Sequence, residues 1–132
     1  MKRLKVATGP SRELTRAELE IMQILWRKEA AFVAQIIEEM AEPKPAYNTV
    51  STVIRVLEKK GVVAHEAYGK SYRYYPLFDK RTYTQHVMQN ILANFFDGSF
   101  SGMVSFLCEQ GDIPTEETKT AARIIRQKAD EN

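Results

Sequence analysis

The stretch AYNTVSTVIRVLEKKG, residues 46–61, combines apolar side chains with side chains that form hydrogen bonds. Four aliphatic residues recur at helical spacing and predict one buried stripe: Val50, Val53, Ile54 and Leu57. The other side of this helix carries hydroxyls, an amide and a guanidinium, where a solvated helix face is usually rich in Glu and Lys. Asn can form two hydrogen bonds to adenine, and Arg can bond guanine or clamp a phosphate. These residue types at this spacing predict a helix that reads base edges in DNA.

The candidate DNA-contacting residues lie on this helix and on a hairpin that follows it. The helix contributes Tyr47, together with Asn48, Thr49, Ser51, Thr52 and Arg55, which are expected to enter the major groove. Four basic residues are expected to contact phosphates: Lys59, Lys60, Lys70 and Arg73. The positive end of the helix dipole would add attraction for phosphate at the first turn. The alternative interpretation is an ordinary polar outer face, and the basic hairpin tip favours DNA.

Side chains suited to catalysis or metal binding do not converge in the sequence. The two histidines, His65 and His86, fall in different elements, and neither has a carboxylate or cysteine at ligand spacing. The run GSFSG at residues 98–102 has Phe100 where a nucleophile elbow needs its serine, and no predicted strand precedes it. We therefore expect no enzymatic activity, no metal site and no cofactor. Cys108, the single cysteine, lies among apolar residues and is expected to be a buried, unreactive thiol.

Helical periodicity and capping residues predict three helices in the first half of the chain. Thr15 and Glu18 form a capping box for a helix over residues 16–28, and a second helix is expected over residues 30–40. The prolines in AEPKPAY then end it, because proline removes a backbone donor and disfavours a helical residue before it. The helix with the polar side is the third, and the basic pair and glycine at residues 59–61 stop it.

Two short runs rich in β-branched and aromatic residues come next, VVAHEAY at residues 62–68 and SYRYYPL at residues 71–77. Gly69-Lys70 separates them, so together they predict a β-hairpin. Because a hairpin alone is only marginally stable, it must pack on the helices. Three helices followed by a two-stranded ribbon predict a mainly α, α+β winged helix-turn-helix domain over residues 13–78.

From residue 79 onward the pattern is helical again and predicts three short helices. No sheet is predicted to cover their aromatic and aliphatic side chains, which are therefore hard to bury within one subunit. We expect residues 79–132 to form a helical dimerisation domain. Its candidate interface residues are Val87, Ile91, Leu92, Phe95, Phe96, Phe100, Val104, Phe106 and Leu107. Residues 1–12 are expected to be a flexible basic arm.

Charge is distributed unevenly along the chain, although the formal net charge is only +2 and the pI is about 8.7. Up to Lys80 there are 14 basic and 10 acidic residues, a balance of +4, whereas from Arg81 on there are 5 and 7, a balance of −2. A polyanionic partner is therefore expected at the N-terminal part. No apolar run approaches the roughly 20 residues that span a bilayer, and MKRLKVATGP lacks the apolar segment of a secretory signal. We expect a cytoplasmic protein without membrane insertion.

Three motifs give the chain a resemblance to the BlaI/MecI family of penicillinase repressors, which also includes the copper-responsive CopY-type repressors. The motifs are LTRAELEIMQILW, AYNTVSTVIRVLEKKGVV and GKSYRYYPL, and the similarity runs from Leu14 to Cys108. The resemblance implies a winged-helix homodimer whose C-terminal helices hold the two copies together. It also implies repression of transcription through a palindromic operator, an inverted repeat in double-stranded DNA.

The resemblance further implies how repression ends. In antibiotic-responsive members a membrane metalloprotease sensor system leads to cleavage within the dimerisation domain, and the corresponding bond here joins Ser105 and Phe106. This chain has Ser105 where those members carry Asn. Copper-responsive members carry a C-terminal cysteine cluster, whereas only Cys108 is present here. A membrane sensor system is thus the implied signalling partner, and copper sensing through such a cluster is not expected.

A second class of function stays open, because winged helices sometimes bind partner proteins without sequence-specific DNA binding. The modest pI fits such a protein–protein interaction module. The two classes differ in their response to salt. Affinity for duplex DNA falls steeply as salt rises, since bound counterions are released from the phosphates. Salt-insensitive retention of a protein partner would favour the interaction module.

Overall fold

The computed structural model describes residues 13–131, and the chain divides into two compact units, the first ending at Met88 and the second beginning at Gln89. The elements are α1 (Arg16–Lys28), β1 (Ala31–Phe32), α2 (Val33–Glu38), α3 (Tyr47–Lys59), β2 (Val63–Tyr68), β3 (Ser71–Pro76), α4 (Lys80–Phe96), α5 (Phe100–Glu109) and α6 (Thr115–Glu131). The first three helices and an antiparallel sheet of order β1-β3-β2 form a winged helix-turn-helix fold. The mainly α, winged-helix fold class is confirmed. The predicted arm over residues 1–12 lies outside the described residues, and the domain boundary after residue 78 stays a prediction.

The first helix begins and ends where its sequence predicts. The Thr15 hydroxyl accepts a hydrogen bond from the Glu18 amide at 3.2 Å, and the Glu18 carboxylate accepts one from the Thr15 amide at 2.8 Å. This reciprocal capping box satisfies two amides that would otherwise lack partners at the helix start. At the other end Glu29 adopts a left-handed conformation with φ 73° and its amide bonds Leu25 O at 2.7 Å.

The second helix is shorter than predicted, and the prediction of a helix over residues 30–40 was wrong at both ends. Ala31 and Phe32 instead form β1, which pairs antiparallel with β3 so that Ala31 lies opposite Tyr74. A strand of two residues shows no alternation, so periodicity could not reveal it. α2 ends at Glu38, where the next two amides bond carbonyls three residues back instead of four.

The hairpin of β2 and β3 forms as predicted, and its register separates two faces. Gly69 in its turn has φ 61°, a left-handed conformation that glycine adopts without strain. Residues directly opposite one another in antiparallel strands share a face. The face toward α3 carries Val63, His65, Ala67, Tyr72 and Tyr74, and the opposite face carries Ala64, Glu66, Tyr68, Arg73 and Tyr75. Val63 and Tyr74 are buried, so the first face packs on the helices.

One apolar core joins α1, α2, α3 and the sheet. Its fully buried side chains include Ile21, Met22, Leu25, Ile36, Ile54 and Leu57. Two long-range hydrogen bonds fasten the chain around the start of α4 to this core. The Leu14 amide donates to the Tyr83 hydroxyl at 2.9 Å, and Trp26 Nε1 donates to Phe78 O at 3.0 Å. The rings of Trp26 and Tyr83 lie 5.7 Å apart, which completes the anchor.

The second unit contains no buried residue between Gln89 and Glu131. The three predicted C-terminal helices are present as α4, α5 and α6. Phe96 and Phe106 meet edge to face with ring centroids 5.6 Å apart, but most large apolar side chains of this unit stay at least partly exposed. Cys108 is exposed as well, so the expectation of a buried thiol is wrong for the single chain.

Candidate nucleic-acid interface

The helix α3 has one apolar side and one polar side, as its sequence predicts. Val50, Ile54 and Leu57 are buried, and Val53 packs at the edge of the same core. Burying an aliphatic side chain of this size contributes about 1.5–3 kcal/mol to folding. The apolar stripe therefore fixes α3 on the core and leaves its polar side facing outward.

The polar side of α3 is open to solvent along its whole length. Six of the predicted residues are exposed, Tyr47, Asn48, Thr49, Thr52, Arg55 and Lys59, and Ser51 is half-buried. Helical geometry aligns four of them in one row, which we call the outer face of α3: Asn48, Thr52, Arg55 and Lys59. The prediction that these side chains share an accessible face is consistent with this arrangement, and their contacts with DNA stay a prediction.

Local hydrogen bonds order part of this outer face. Thr52 Oγ1 donates to Asn48 O at 2.8 Å, one turn earlier in the helix. Arg55 Nη2 lies 3.5 Å from Thr52 Oγ1, at the long limit for a hydrogen bond. Because a guanidinium has five N–H donors, Arg55 keeps most of them available for a base or a phosphate.

The N-terminal turn of α3 offers backbone amides to an anion. Ala46 occupies the N-cap position without a side-chain acceptor, and no acidic residue lies in the first turn. The first amides of a helix have no partner within the helix, and the positive end of the helix dipole attracts negative charge. A DNA phosphate at this end would supply the acceptor that the N-cap residue lacks.

Lys60 is engaged differently from the other predicted phosphate contacts. Its Nζ lies 3.0 and 2.8 Å from the two carboxylate oxygens of Glu18, which is only 4% exposed. Burial acts to raise the pKa of the Glu18 carboxyl, but the hydrogen bonds from Lys60 and Thr15 and the charge of Lys60 outweigh it and hold this pKa below its ordinary value. Lys60 thus fastens the end of α3 to α1, and its contact with a phosphate stays a prediction.

We call the hairpin of β2 and β3 the wing. Two of the predicted phosphate contacts, Lys70 and Arg73, lie in different parts of it. Lys70 lies in the exposed turn at the wing tip. Arg73 lies opposite Glu66 on β2 and Phe32 on β1, on the face turned away from α3. Lys70 is therefore better placed than Arg73 to reach a duplex that also meets α3.

One contact between α3 and the wing was not predicted from the sequence. His65 Nδ1 lies 2.6 Å from Glu58 Oε2, and the His65 ring stacks on Tyr72 with centroids 4.1 Å apart. Alternation along the two strands could have placed His65 and Tyr72 on one face. Their approach to Glu58 depends on how the wing packs against α3, which residue spacing does not reveal.

The part of the chain that the structure describes shows no assembled metal site. Between residues 13 and 131, no three His, Cys, Asp or Glu side chains come together as metal ligands. In the same range no single helix is both long and apolar enough to cross a membrane, and α4 and α5 meet that test only jointly, as a pair broken by a bend.

Comparisons with known proteins identify one family. A family model described as penicillinase repressor matches residues 14–127. The methicillin resistance regulatory protein MecI of Staphylococcus aureus (strain N315) is 29% identical over 117 residues, which are 88% of this chain and 95% of MecI. The penicillinase repressor of Bacillus licheniformis is 25% identical over 116 residues, which are 87% of this chain and 91% of that protein.

Several solved structures are similar to this one. The solution structure of the DNA-binding domain of the repressor BlaI covers 52% of this chain and 84% of that chain, with 28% sequence identity and a TM-score of 0.47. The complex structure of hsRosR-S4 covers 89% of this chain and 91% of that chain, with 16% identity and a TM-score of 0.54. The second similarity is one of fold alone.

Proposed function

The chain belongs to the penicillinase repressor family, and we propose that it is a homodimeric transcriptional repressor that binds an inverted-repeat operator in duplex DNA. The observation that carries this proposal is the outer face of α3, a row of exposed amide, hydroxyl, guanidinium and ammonium groups on a helix whose other side is fixed in the core. Such groups match the donors and acceptors that base pairs present in the major groove. The names of the relatives, which describe repressors and resistance regulators, support repression as the outcome.

In this proposal α3 enters the major groove. Asn48 and Arg55 bond base edges, and the short hydroxyl side chains of Thr49, Ser51 and Thr52 allow the helix backbone to come close to the DNA. The uncapped first turn binds a phosphate. Lys59 and Lys70 are exposed cations that contact the phosphate backbone on either side, whereas Arg73 reaches it only from the far face of the wing.

Exposed apolar side chains support the dimer. Of the predicted interface residues, Phe95, Phe100, Phe106 and Leu107 are exposed and Val87, Ile91, Leu92, Phe96 and Val104 are half-buried in the single chain. Monomeric soluble proteins rarely leave a large contiguous apolar surface uncovered. A second copy would cover these side chains, and two-fold symmetry would then present two α3 helices to one duplex about 34–36 Å apart, which requires inverted half-sites.

Cleavage between Ser105 and Phe106 is the proposed route by which repression ends. Both residues are exposed on α5, and Phe106 packs against Phe96. A cut there would separate this aromatic pair and weaken the dimer, and affinity shared between two half-sites would fall with it. Incubation with cells that contain a membrane metalloprotease sensor system and the inducing antibiotic should give two fragments on a denaturing gel. An intact band would contradict proteolytic release.

Binding to duplex DNA at several salt concentrations tests the proposed function. A duplex selected by the protein from a random-sequence pool should contain an inverted repeat, and its Kd should rise steeply with salt. A scrambled duplex of equal length is the control and should bind about 10³-fold or more weakly. Equal affinity for the two duplexes, or affinity that does not change with salt, would contradict sequence-specific repression and favour a protein-interaction module.

A further inference from the structure

Glu58, His65 and Tyr72 form one cluster between α3 and the wing. His65 Nδ1 lies 2.6 Å from Glu58 Oε2, and the side chains of both residues are 31% exposed. The imidazole ring stacks on Tyr72 with ring centroids 4.1 Å apart and planes inclined by 21°. The same imidazole lies 5.7 Å from the ring of Tyr74, which is buried. Three elements, α3, β2 and β3, therefore meet at His65.

The position of this cluster along the wing gives it a role in holding the wing in place. Every residue from Glu66 to Tyr72 is exposed, and a two-stranded hairpin is only marginally stable in water without other support. β1 supports β3 over only two residues, and the ring of Tyr68 meets Phe32 on the face turned away from α3. On the α3 side, His65 ties the outer half of the wing to the helix.

The cluster also fixes the position of Glu58, the one acidic side chain of α3. Glu58 belongs to a helix that is proposed to face a polyanion, where a free carboxylate would repel phosphates. A carboxylate can only accept, so the Nδ1–H of His65 donates to Glu58 and holds it against the wing. The charge of Glu58 also acts on Tyr74. Burial is the largest cause that raises the pKa of Tyr74, and the Glu58 carboxylate raises it as well.

We propose that His65 is a positioning residue of the DNA interface, which bonds Glu58 and stacks on Tyr72 so that Lys70 and α3 reach the same duplex together. This inference rests on the proposed function. In this proposal the imidazole of His65 is occupied by Glu58 and Tyr72 and makes no contact of its own with DNA. It acts through Lys70, whose ammonium group sits at the tip of the segment that His65 holds.

A double-mutant cycle between His65 and Lys70 in the full chain tests the inference, with the duplex selected by the wild-type protein as the probe. Lys70→Ala alone should weaken binding and reduce the slope of log Kd against log salt by about 1, because one phosphate contact is lost. His65→Ala should produce the same two effects, with a loss of about three- to tenfold in affinity. In the His65→Ala protein, Lys70→Ala should add little, because the wing tip is no longer held near the duplex.

Two conservative variants separate the two contacts of the imidazole. His65→Asn keeps an N–H donor near the position of Nδ1, whereas His65→Phe keeps a ring that can stack on Tyr72. Each should retain part of the affinity that His65→Ala loses. His86→Ala, which removes the other histidine from α4, is the control and should leave the salt slope unchanged. If both His65→Asn and His65→Phe bind as weakly as His65→Ala, the inference is overturned.

Hydrogen exchange without DNA distinguishes this inference from the proposed function. Amides of the paired segments of β2 and β3 should exchange faster in His65→Ala than in the wild type, while those of α1 stay protected. Unchanged exchange in the wing, or strictly additive effects of His65→Ala and Lys70→Ala in a protein that binds its duplex with steep salt dependence, would overturn the inference alone. A wild-type protein that binds no duplex would overturn the proposed function, and this role of His65 with it.

Discussion

Arg55 is the side chain of the proposed interface that can bind either a base edge or a phosphate. It lies in the central part of the outer face of α3, it is exposed, and among residues 13–131 its guanidinium has only the long contact with Thr52. A guanidinium is always charged and presents parallel donors in one plane, which suits both guanine and a phosphate. Among the residues of α3, Arg55 is therefore the most informative single substitution.

Replacing Arg55 by Ala should weaken binding to the selected duplex by about 1–3 kcal/mol, because a base or phosphate contact is lost. Fluorescence anisotropy of a labelled duplex measures the change. Arg123→Ala removes an exposed arginine from α6 and is the matched control, for which we expect an unchanged Kd. An unaltered Kd in a folded Arg55→Ala protein would exclude Arg55 from the contacts.

The ion pair between Glu18 and Lys60 should contribute to folding and not to DNA binding. Lys60→Met leaves the buried Glu18 carboxylate without its Nζ donor, and such a loss costs about 1–3 kcal/mol. Urea denaturation at pH 7 should show this decrease, while the salt dependence of DNA binding stays that of the wild type. Lys59→Met is the matched control for stability, since Lys59 is exposed. A reduced salt slope with unchanged stability would instead make Lys60 a phosphate contact.

The Glu18 carboxyl should also make stability sensitive to acid. Burial acts to raise its pKa, but the opposite effect of Lys60 and Thr15 is larger. The pKa of Glu18 in the folded protein therefore lies below the ordinary value of 4.5. Between these two values the unfolded chain binds more protons, and the stabilising contribution is therefore complete above the ordinary value and lost as the pH falls through the folded-state pKa. Glu18→Gln should unfold more easily than the wild type at pH 7, with a smaller difference near pH 3. A difference that is constant over this range would contradict the prediction.

At the scale of elements, the end of α3 determines where the wing begins. The Val62 amide donates to Leu57 O at 2.9 Å and the Gly61 amide donates to Glu58 O at 3.0 Å, which are the two bonds of a Schellman motif. Gly61 has φ 82°, in the left-handed region. The motif turns the chain from the end of α3 directly into β2.

Gly61→Ala should lower the free energy of unfolding by about 1–2 kcal/mol, because the left-handed conformation brings Cβ close to a carbonyl oxygen. Apart from Gly61 and its two chain neighbours, no described residue lies within 4 Å of the position that a Cβ would take, so the cost comes from the local backbone conformation and not from a collision with the rest of the protein. Gly61→Asn is the control and should lose less, since Asn adopts this region more readily. Urea unfolding followed by circular dichroism measures both variants, and wild-type stability in Gly61→Ala would disprove the argument.

Long elements could be predicted from the sequence, whereas contacts between elements could not. The period of apolar residues and the Thr15–Glu18 cap predicted α1 with its observed bounds, and the buried stripe of α3 predicted which side would stay outward. β1 was missed because two residues show no period. The Lys60 ion pair joins residues 42 positions apart, and neither partner carries a local signal of the other.

At the scale of the whole molecule, the uncovered side chains of the second unit predict concentration-dependent assembly. Phe95→Ser removes a side chain that is 76% exposed and leaves the contact of Phe96 with Phe106 in place. If Phe95 lies in the centre of the dimer interface, its loss should raise the dimer dissociation constant about tenfold or more and weaken operator binding. Analytical ultracentrifugation and anisotropy measure the two effects.

Leu77→Ser is the matched control for this prediction, because Leu77 is 51% exposed but belongs to the first unit. We expect it to dimerise and bind as the wild type does. A wild-type chain that stays monomeric at concentrations at which it binds its operator would contradict the dimer.

No residue between Gln89 and Glu131 is buried, and this makes the amount of the proposed active dimer depend on the concentration of the chain in the cell. In the proposed dimer this segment gains a core only by pairing, so folding and concentration are linked. Where most chains are single, mass action makes the amount of dimer follow the square of the chain concentration, and halving the chain lowers the dimer about fourfold. A promoter under such control would switch over a narrow range of gene dosage, more sharply than one governed by a monomeric repressor.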